Sequence, residues 1–132
     1  MGDLSDITAE YSSEGLADQL ISILEESGLN RDSITQSDLH SVDQMHLRGG
    51  TAAIEFLDSL GIRAGDRVLD VGCGPGGPAR MAASRFGADV TGIDLTQALC
   101  DAARQLNALV GLERIRIMQG DALSMPFADS SF

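Results

Sequence analysis

The stretch Val68-Leu69-Asp70-Val71-Gly72-Cys73-Gly74-Pro75-Gly76-Gly77-Pro78 decides how the rest of the chain is read. An apolar run carrying one acid breaks into glycines and then a proline. That is the pattern of a buried strand, a tight loop and the first turn of a helix. Gly72, Gly74 and Gly76 have no Cβ, so the backbone there can take positive φ and lie directly against a bound molecule. The helix that follows aims its free N–H groups and the positive end of its dipole at the same place. The loop is shaped to receive something nucleotide-like.

Outward from this loop, strand and helix alternate. Strand one is expected over residues 67–71, a helix from 78 to about 86 ended by Gly87, and strand two over 89–93. Thr96 is placed to cap a helix running through Leu99, Ala102, Ala103, Leu106 and Val110 and closed by Gly111. Strand three is expected over 114–119, with Ile115 and Ile117 facing one way. Short links between such elements imply an α/β fold: a Rossmann-like, doubly wound parallel sheet of about three strands in the order 3-2-1. Strand one would then lie at an edge, where a switch-point fold normally gives it two neighbours. Residues 50–132 are therefore expected to be the N-terminal half of such a domain, and the chain the N-terminal part of a larger protein.

Residues 1–49 are expected to form an N-terminal helical or lid extension. Ser12 or Ser13 can cap a helix reaching about residue 27, with Gly28 as its stop and Leu16, Leu20, Ile23 and Leu24 as its stripe. Residues 29–49 read as polar and irregular. A further helix is expected over about 51–60, with Ile54, Leu57 and Leu60 on one face.

Composition narrows the partners. The 132 residues are 43% apolar, enough for a core. Net charge is −11, the nine basic residues are all arginine, and 14 of the 20 acids are aspartate. That balance argues against a nucleic-acid face. No apolar run approaches the roughly 20 residues of a membrane helix. The acidic Met1-Gly2-Asp3-Leu4-Ser5-Asp6 carries no targeting pattern, so a cytoplasmic location and no membrane partner are expected. Cys73 and Cys100 fit no zinc spacing and are expected to be reduced thiols. His40 and His46, near Asp38 and Asp43, match no ligand pattern, and no metal is expected.

Glycine loops of this kind serve two large classes of ligand. Gly72-x-Gly74-x-x-Gly77 formally matches the dinucleotide fingerprint, and Asp94 falls 22 residues after Gly72 at the end of strand two. An acid there can accept two hydrogen bonds from a ribose diol, which suits an adenosine in either class. Asp70 shifts the balance: a carboxylate within strand one would repel a pyrophosphate and suit a cationic amino-acid end. Gly120-Asp121-Ala122, after strand three, adds a carboxylate able to accept an adenine amino group.

Together, Asp70-Val71-Gly72-Cys73-Gly74-Pro75-Gly76, Gly92-Ile93-Asp94-Leu95 and Gly120-Asp121-Ala122-Leu123-Ser124-Met125-Pro126-Phe127 resemble the class I S-adenosylmethionine-dependent methyltransferases. Tyr11, Ser37-Asp38-Leu39, Val42-Asp43-Gln44-Met45-His46-Leu47-Arg48-Gly49-Gly50 and Gly76-Gly77-Pro78-Ala79-Arg80 are similar to its small-molecule branch. Within that branch, the sarcosine/dimethylglycine N-methyltransferases are the pattern they resemble. The resemblance implies S-adenosylmethionine as cofactor and a small-molecule methyl acceptor, such as an amine. It implies that the backbone around Gly72, Cys73 and Gly74 faces the methionine part, and that Asp70 orients the amino group. Asp94 would hold the ribose hydroxyls, Leu95 would pack on adenine, and Asp121 and Ala122 would meet the adenine edge. Arg48 would pair with the methionine carboxylate, and Tyr11 would fold over as part of a lid.

Plainer readings stand beside these: Asp94 as a helix cap, Asp121 as a turn aspartate, Arg48 as a solvated arginine, Tyr11 and Leu95 as packing residues. The implied reaction is an in-line displacement at a sulfonium methyl, governed by alignment. No strong acid–base pair is needed, and the sequence offers no catalytic pair. The rival readings are a nicotinamide- or flavin-dependent oxidoreductase fragment, and a cofactor-binding module without activity. An unpaired strand one also predicts homodimer or edge-strand association.

Overall fold

The computed structural model describes residues 15–43 and 49–132. In chain order they form helix α1 (Leu16–Glu26), a 3-10 turn (Arg31–Ser33), α2 (Gln36–Asp43), α3 (Gly49–Ser59), strand β1 (Arg67–Val71), α4 (Gly77–Phe86), β2 (Asp89–Asp94), α5 (Gln97–Leu109) and β3 (Arg116–Gln119). The three strands form one parallel sheet in the order β1-β2-β3, the expected order named from the other edge. Arg67 to Val71 lie opposite Asp89 to Ile93, and Thr91 to Asp94 lie opposite Arg116 to Gln119. Among the described residues, β1 has a strand neighbour on one side only. β2 is central and covered on both faces, and Val90, Thr91, Gly92 and Ile93 are all buried.

Two apolar clusters hold these elements. One joins Leu57 of α3, Ala79, Met81 and Ala82 of α4, Val90 of β2, Cys100 and Ala103 of α5, Ile115, and Ile117 of β3. The other joins Leu16, Leu20, Ile21 and Leu24 of α1, Ile34, and Leu39 of α2 to Ala102 and Leu106 of α5. Helix α5 thus contributes one side to each cluster. Each buried Leu or Ile contributes roughly 1.5–3 kcal/mol.

Helix α1 ends as its sequence suggests. Gly28 takes φ 99°, and the Leu29 and Gly28 N–H groups donate to the Leu24 and Glu25 carbonyls at 3.2 and 3.0 Å, a Schellman closure. Its buried stripe differs from the expected one: Ala17 and Ile21 are in it, while Ile23 is 53% exposed. Leu16–Leu20–Leu24 and Ala17–Ile21 are i,i+4 rows side by side, and Ile23 falls beyond their edge. Residues 29–49 are not uniformly irregular, because α2 forms within them. It starts from a capping box in which Asp38 Oδ2 accepts from the Thr35 N–H at 2.8 Å and its hydroxyl at 2.7 Å. Thr96 occupies the N-cap of α5, but its side chain makes no cap hydrogen bond. Helix α3 stops at Ser59, leaving Leu60 52% exposed, and β3 begins at Arg116, two residues later than expected. Ser12, Ser13, Tyr11, His46 and Arg48 lie outside the described residues.

Candidate functional site

The loop between β1 and α4 is held by its own hydrogen bonds. The Gly72 and Cys73 N–H groups both donate to the Ile93 carbonyl, at 2.8 and 3.1 Å, and the Gly76 N–H donates to the Cys73 carbonyl at 3.0 Å. The Gly74 N–H donates to Asp94 Oδ2 at 2.9 Å. Gly72, Gly74 and Gly76 take φ of 71°, 53° and 89°, the left-handed region in which glycine is unstrained. Cys73 is buried against Gly92, where any Cβ would stand 2.9 Å from the Cys73 Cβ and Sγ. The bare backbone of Gly92 is therefore what lets the loop sit down on β2.

Asp94 organises the switch from β2 to α5 as well as the loop. Its Oδ1 accepts from the Thr96 N–H at 2.9 Å while Oδ2 accepts from Gly74. The helix-cap reading of Asp94 is thus partly met, through an Asx turn to Thr96. A carboxylate has about four acceptor lone-pair sites, so two donors leave room for a diol. Asp94 is only partly buried, which keeps that capacity accessible.

A cleft of about 250 Å³ opens here, lined by Val71, Gly72, Ile93, Asp94, Leu95, Gly120, Asp121 and Ala122. Pockets for drug-sized ligands start at roughly 300 Å³, so this one takes part of a nucleotide-sized molecule. Leu95 is 68% exposed, an apolar surface at the cleft rather than core. The Gln119 Nε2–H donates to the Leu95 carbonyl at 3.1 Å and fixes its backbone. Asp121 Oδ1 accepts from the Leu123 N–H at 2.9 Å, the local turn bond that the plainer reading expected.

The structure therefore brings Gly72, Gly74, Asp94, Leu95, Asp121 and Ala122 together. It leaves Asp70 on the other side of β1. There Asp70 lines a larger apolar groove of about 380 Å³ between α3, β1 and α4, with Phe56, Leu57, Val68 and Pro78. That groove has almost no polar group to orient a ligand, so the smaller cleft is the better site candidate. The Cys73 side chain faces the core, which leaves only its backbone to the loop surface. Its thiol is pushed up to about 12, mainly by burial and further by the nearby Asp70 and Asp94 charges. Val71, Ile93 and Gly120 line the cleft, although the motifs that contain them gave them no site role. Their signal was their position at the carboxyl ends of the strands.

The cleft discriminates between ligands. The loop's Gly72, Cys73, Gly74 and Gly76 N–H groups already have protein acceptors, so they do not form an open anion nest. Its lining holds two carboxylates and no basic residue. A diphosphate is disfavoured there, whereas a ribose diol and a cationic group are suited.

Comparison with known proteins agrees with this geometry. Residues 68–132 match a family described as a methyltransferase domain. The 24-methylenesterol C-methyltransferase 2 of Oryza sativa subsp. japonica is 45% identical over 76 residues, which is 57% of this chain and 21% of that protein. The chain thus spans about a fifth of the length of that curated relative. Phosphoethanolamine N-methyltransferase 2 of Haemonchus contortus, solved with S-adenosyl-L-methionine, superposes with a TM-score of 0.53 at 35% identity, over 56% of this chain and 17% of that one. A geranyl diphosphate methyltransferase, also solved with the same cofactor, gives a TM-score of 0.58 at 27% identity, over 87% of this chain and 39% of that one.

Proposed function

Residues 68–132 belong to the class I S-adenosylmethionine-dependent methyltransferases, and from that premise we propose that the chain seats this cofactor at the glycine loop for methyl transfer to a small-molecule acceptor. The observation that carries the proposal is the acid-lined cleft beside a loop whose N–H groups are engaged by protein. Such a cleft fits adenosine with a cationic sulfur better than a dinucleotide's diphosphate.

When bound, the cofactor supplies an electrophilic methyl on a sulfonium whose leaving thioether needs no proton. The chain's residues bind and orient. Asp94 accepts from the ribose hydroxyls with its remaining lone pairs, Leu95 offers an apolar face to adenine, and Asp121 and Ala122 border its edge. The Gly72–Gly74 backbone approaches the methionine part; the amino-group role of Asp70 is the one the resemblance implies, and Asp70 itself lines the neighbouring groove rather than the cleft. Arg48 and Tyr11 keep the roles that the resemblance implies, as carboxylate partner and lid. Residues 1–49 serve as a helical extension to the domain of residues 50–132, supported by α1 and α2 packing on α5.

An amine acceptor such as sarcosine or dimethylglycine is the finer proposal. The matched Haemonchus protein is named for nitrogen methylation, and the matched rice protein for carbon methylation of a sterol. Transfer of a labelled methyl group to a panel of amines and apolar alcohols decides between these acceptors. A cytoplasmic setting is proposed on two free, buried cysteines. Among the described residues, no helix is long and apolar enough to cross a membrane.

The direct test is thermal unfolding with S-adenosylhomocysteine or NADH. A ligand at a hundred times its Kd stabilises by about 2.7 kcal/mol. We expect S-adenosylhomocysteine to raise the transition and NADH to leave it unchanged. Stabilisation by NADH alone would select the oxidoreductase reading.

A further inference from the structure

Beneath the glycine loop lies a buried polar cluster that cofactor contact does not explain. Arg80, in the first turns of α4, is fully buried. Its Nη2 donates to Asp43 Oδ2 at 2.6 Å and its Nη1 to Asn107 Oδ1 at 2.9 Å. Asp43 ends α2 and Asn107 sits near the end of α5, both almost without exposure. The guanidinium also folds back along α4 toward its start. A Cβ placed on Gly76 would stand 2.9 Å from Arg80 Nη1 and 3.2 Å from the Ala103 Cβ. One planar group thus touches the loop and ties it to two helices that are far apart in sequence.

This cluster is costly as a stability device. The Nε of Arg80 and Nδ2 of Asn107 find no acceptor among the described residues. Burial pulls the Arg80 guanidinium down from its ordinary range, while the Asp43 charge and hydrogen bond oppose that shift. A cation near the start of α4 is also at the unfavourable end of the helix dipole. Apolar residues of similar volume would hold the three helices at least as well. What they would not supply is a rigid fork against the Cα of Gly76.

We infer that Arg80 is a positioning residue, which by bridging Asp43 and Asn107 beneath Gly76 fixes the height of the glycine loop relative to Asp94. Its consequence for ligand affinity rests on the reading of the loop as the cofactor's seat.

Two variants of this chain test it. Arg80→Lys keeps a charge for Asp43, but a single ammonium cannot serve both partners with a planar fork. The combination Asp43→Leu, Arg80→Met and Asn107→Leu removes the polar cluster and is expected to melt no lower than the parent. Amide hydrogen exchange is read without ligand at Gly72, Gly74 and Gly76, with Ala103 and Leu106 of α5 as internal reference. In both variants the loop amides should exchange about ten- to a hundredfold faster, the ratio of a lost hydrogen bond to a charged group. The α5 amides should hold their rates in whichever variant keeps the parent's melting temperature. Affinity for S-adenosylhomocysteine should fall in parallel. Parent-like loop exchange in both variants overturns the positioning role. Faster loop exchange with unchanged affinity upholds the bridge and overturns the loop as cofactor seat. Should the triple variant fail to fold, Arg80→Lys decides alone.

Discussion

Asp94 does two things with one carboxylate. It fixes the Gly74 N–H and the Thr96 N–H, and in the proposed function it receives a ribose diol with the acceptor capacity left over. Asp94→Asn places an NH₂ group where one of those two backbone donors now points. Binding of S-adenosylhomocysteine should weaken about tenfold or more, on the scale of a hydrogen bond to a charged group. Calorimetric titration reads this, and parent-like affinity would remove Asp94 from the site. Cys73, one position before the Gly74 that Asp94 holds, is the opposite kind of residue, sealed and inert. Its thiol is raised from an ordinary value of 9.0 to about 12 by burial first, then by Asp70 and Asp94. Little thiolate forms at pH 8, so a soluble thiol reagent should label Cys73 only as fast as the chain opens. The folded thiol keeps its proton where the unfolded chain loses it. Stability is therefore unaffected below pH 9 and falls as pH rises towards 12, which alkaline unfolding curves of the parent and Cys73→Ala compare. Equal alkaline sensitivity in the two proteins would contradict this assignment.

At the scale of elements, α2 rests on its capping box. Removing the Thr35 hydroxyl by Thr35→Ala should cost about 1 kcal/mol, seen as faster amide exchange in α2 and a lower denaturant midpoint. An unchanged midpoint would show that packing of Leu39 alone holds the helix. The segment of α2 reads as irregular because Leu39 and Val42 are its chief apolar residues in a polar run, and its cap at Thr35 and Asp38 emerged only in the structure. The strands and loop were far more legible. Val68, Leu69 and Val71 ahead of Gly72 specify a strand followed by a turn in a way that no tertiary contact overrides. Asp94 and Leu95 could be placed because the end of a parallel strand is a ligand position by topology. Asp70 is the instructive case. Its position in β1 was clear, but whether its side chain meets the cleft depends on the pleat, and alternation turns it toward α4 while Val71 lines the cleft. The Asp43–Arg80–Asn107 cluster was invisible in sequence, because it is made by three helices meeting and follows no spacing rule.

For the molecule as a whole, α5 and the free edge of β1 matter most. Leu106 is fully buried in the cluster that ties α1 and α2 to α5, a cluster separate from that of the sheet. Leu106→Ala should destabilise by about 2–5 kcal/mol in denaturant titration. A loss below about 1 kcal/mol would mean that the N-terminal helices are only loosely attached. The edge of β1 lies near Phe56 and Leu60, which are 62% and 52% exposed. Among the described residues β1 has a strand on one side only, and such an edge beside apolar surface predicts self-association, visible as a concentration-dependent mass in light scattering. A monomer at every concentration would contradict that. The central claim is that an acid-lined cleft beside a closed glycine loop seats S-adenosylmethionine. Its most direct test is the mapping of backbone amide shifts in the labelled chain on titration with S-adenosylhomocysteine. The account predicts changes concentrated at Gly72, Gly74, Asp94, Leu95, Asp121 and Ala122. Shifts absent from these six residues, or produced there by NADH instead, would contradict it.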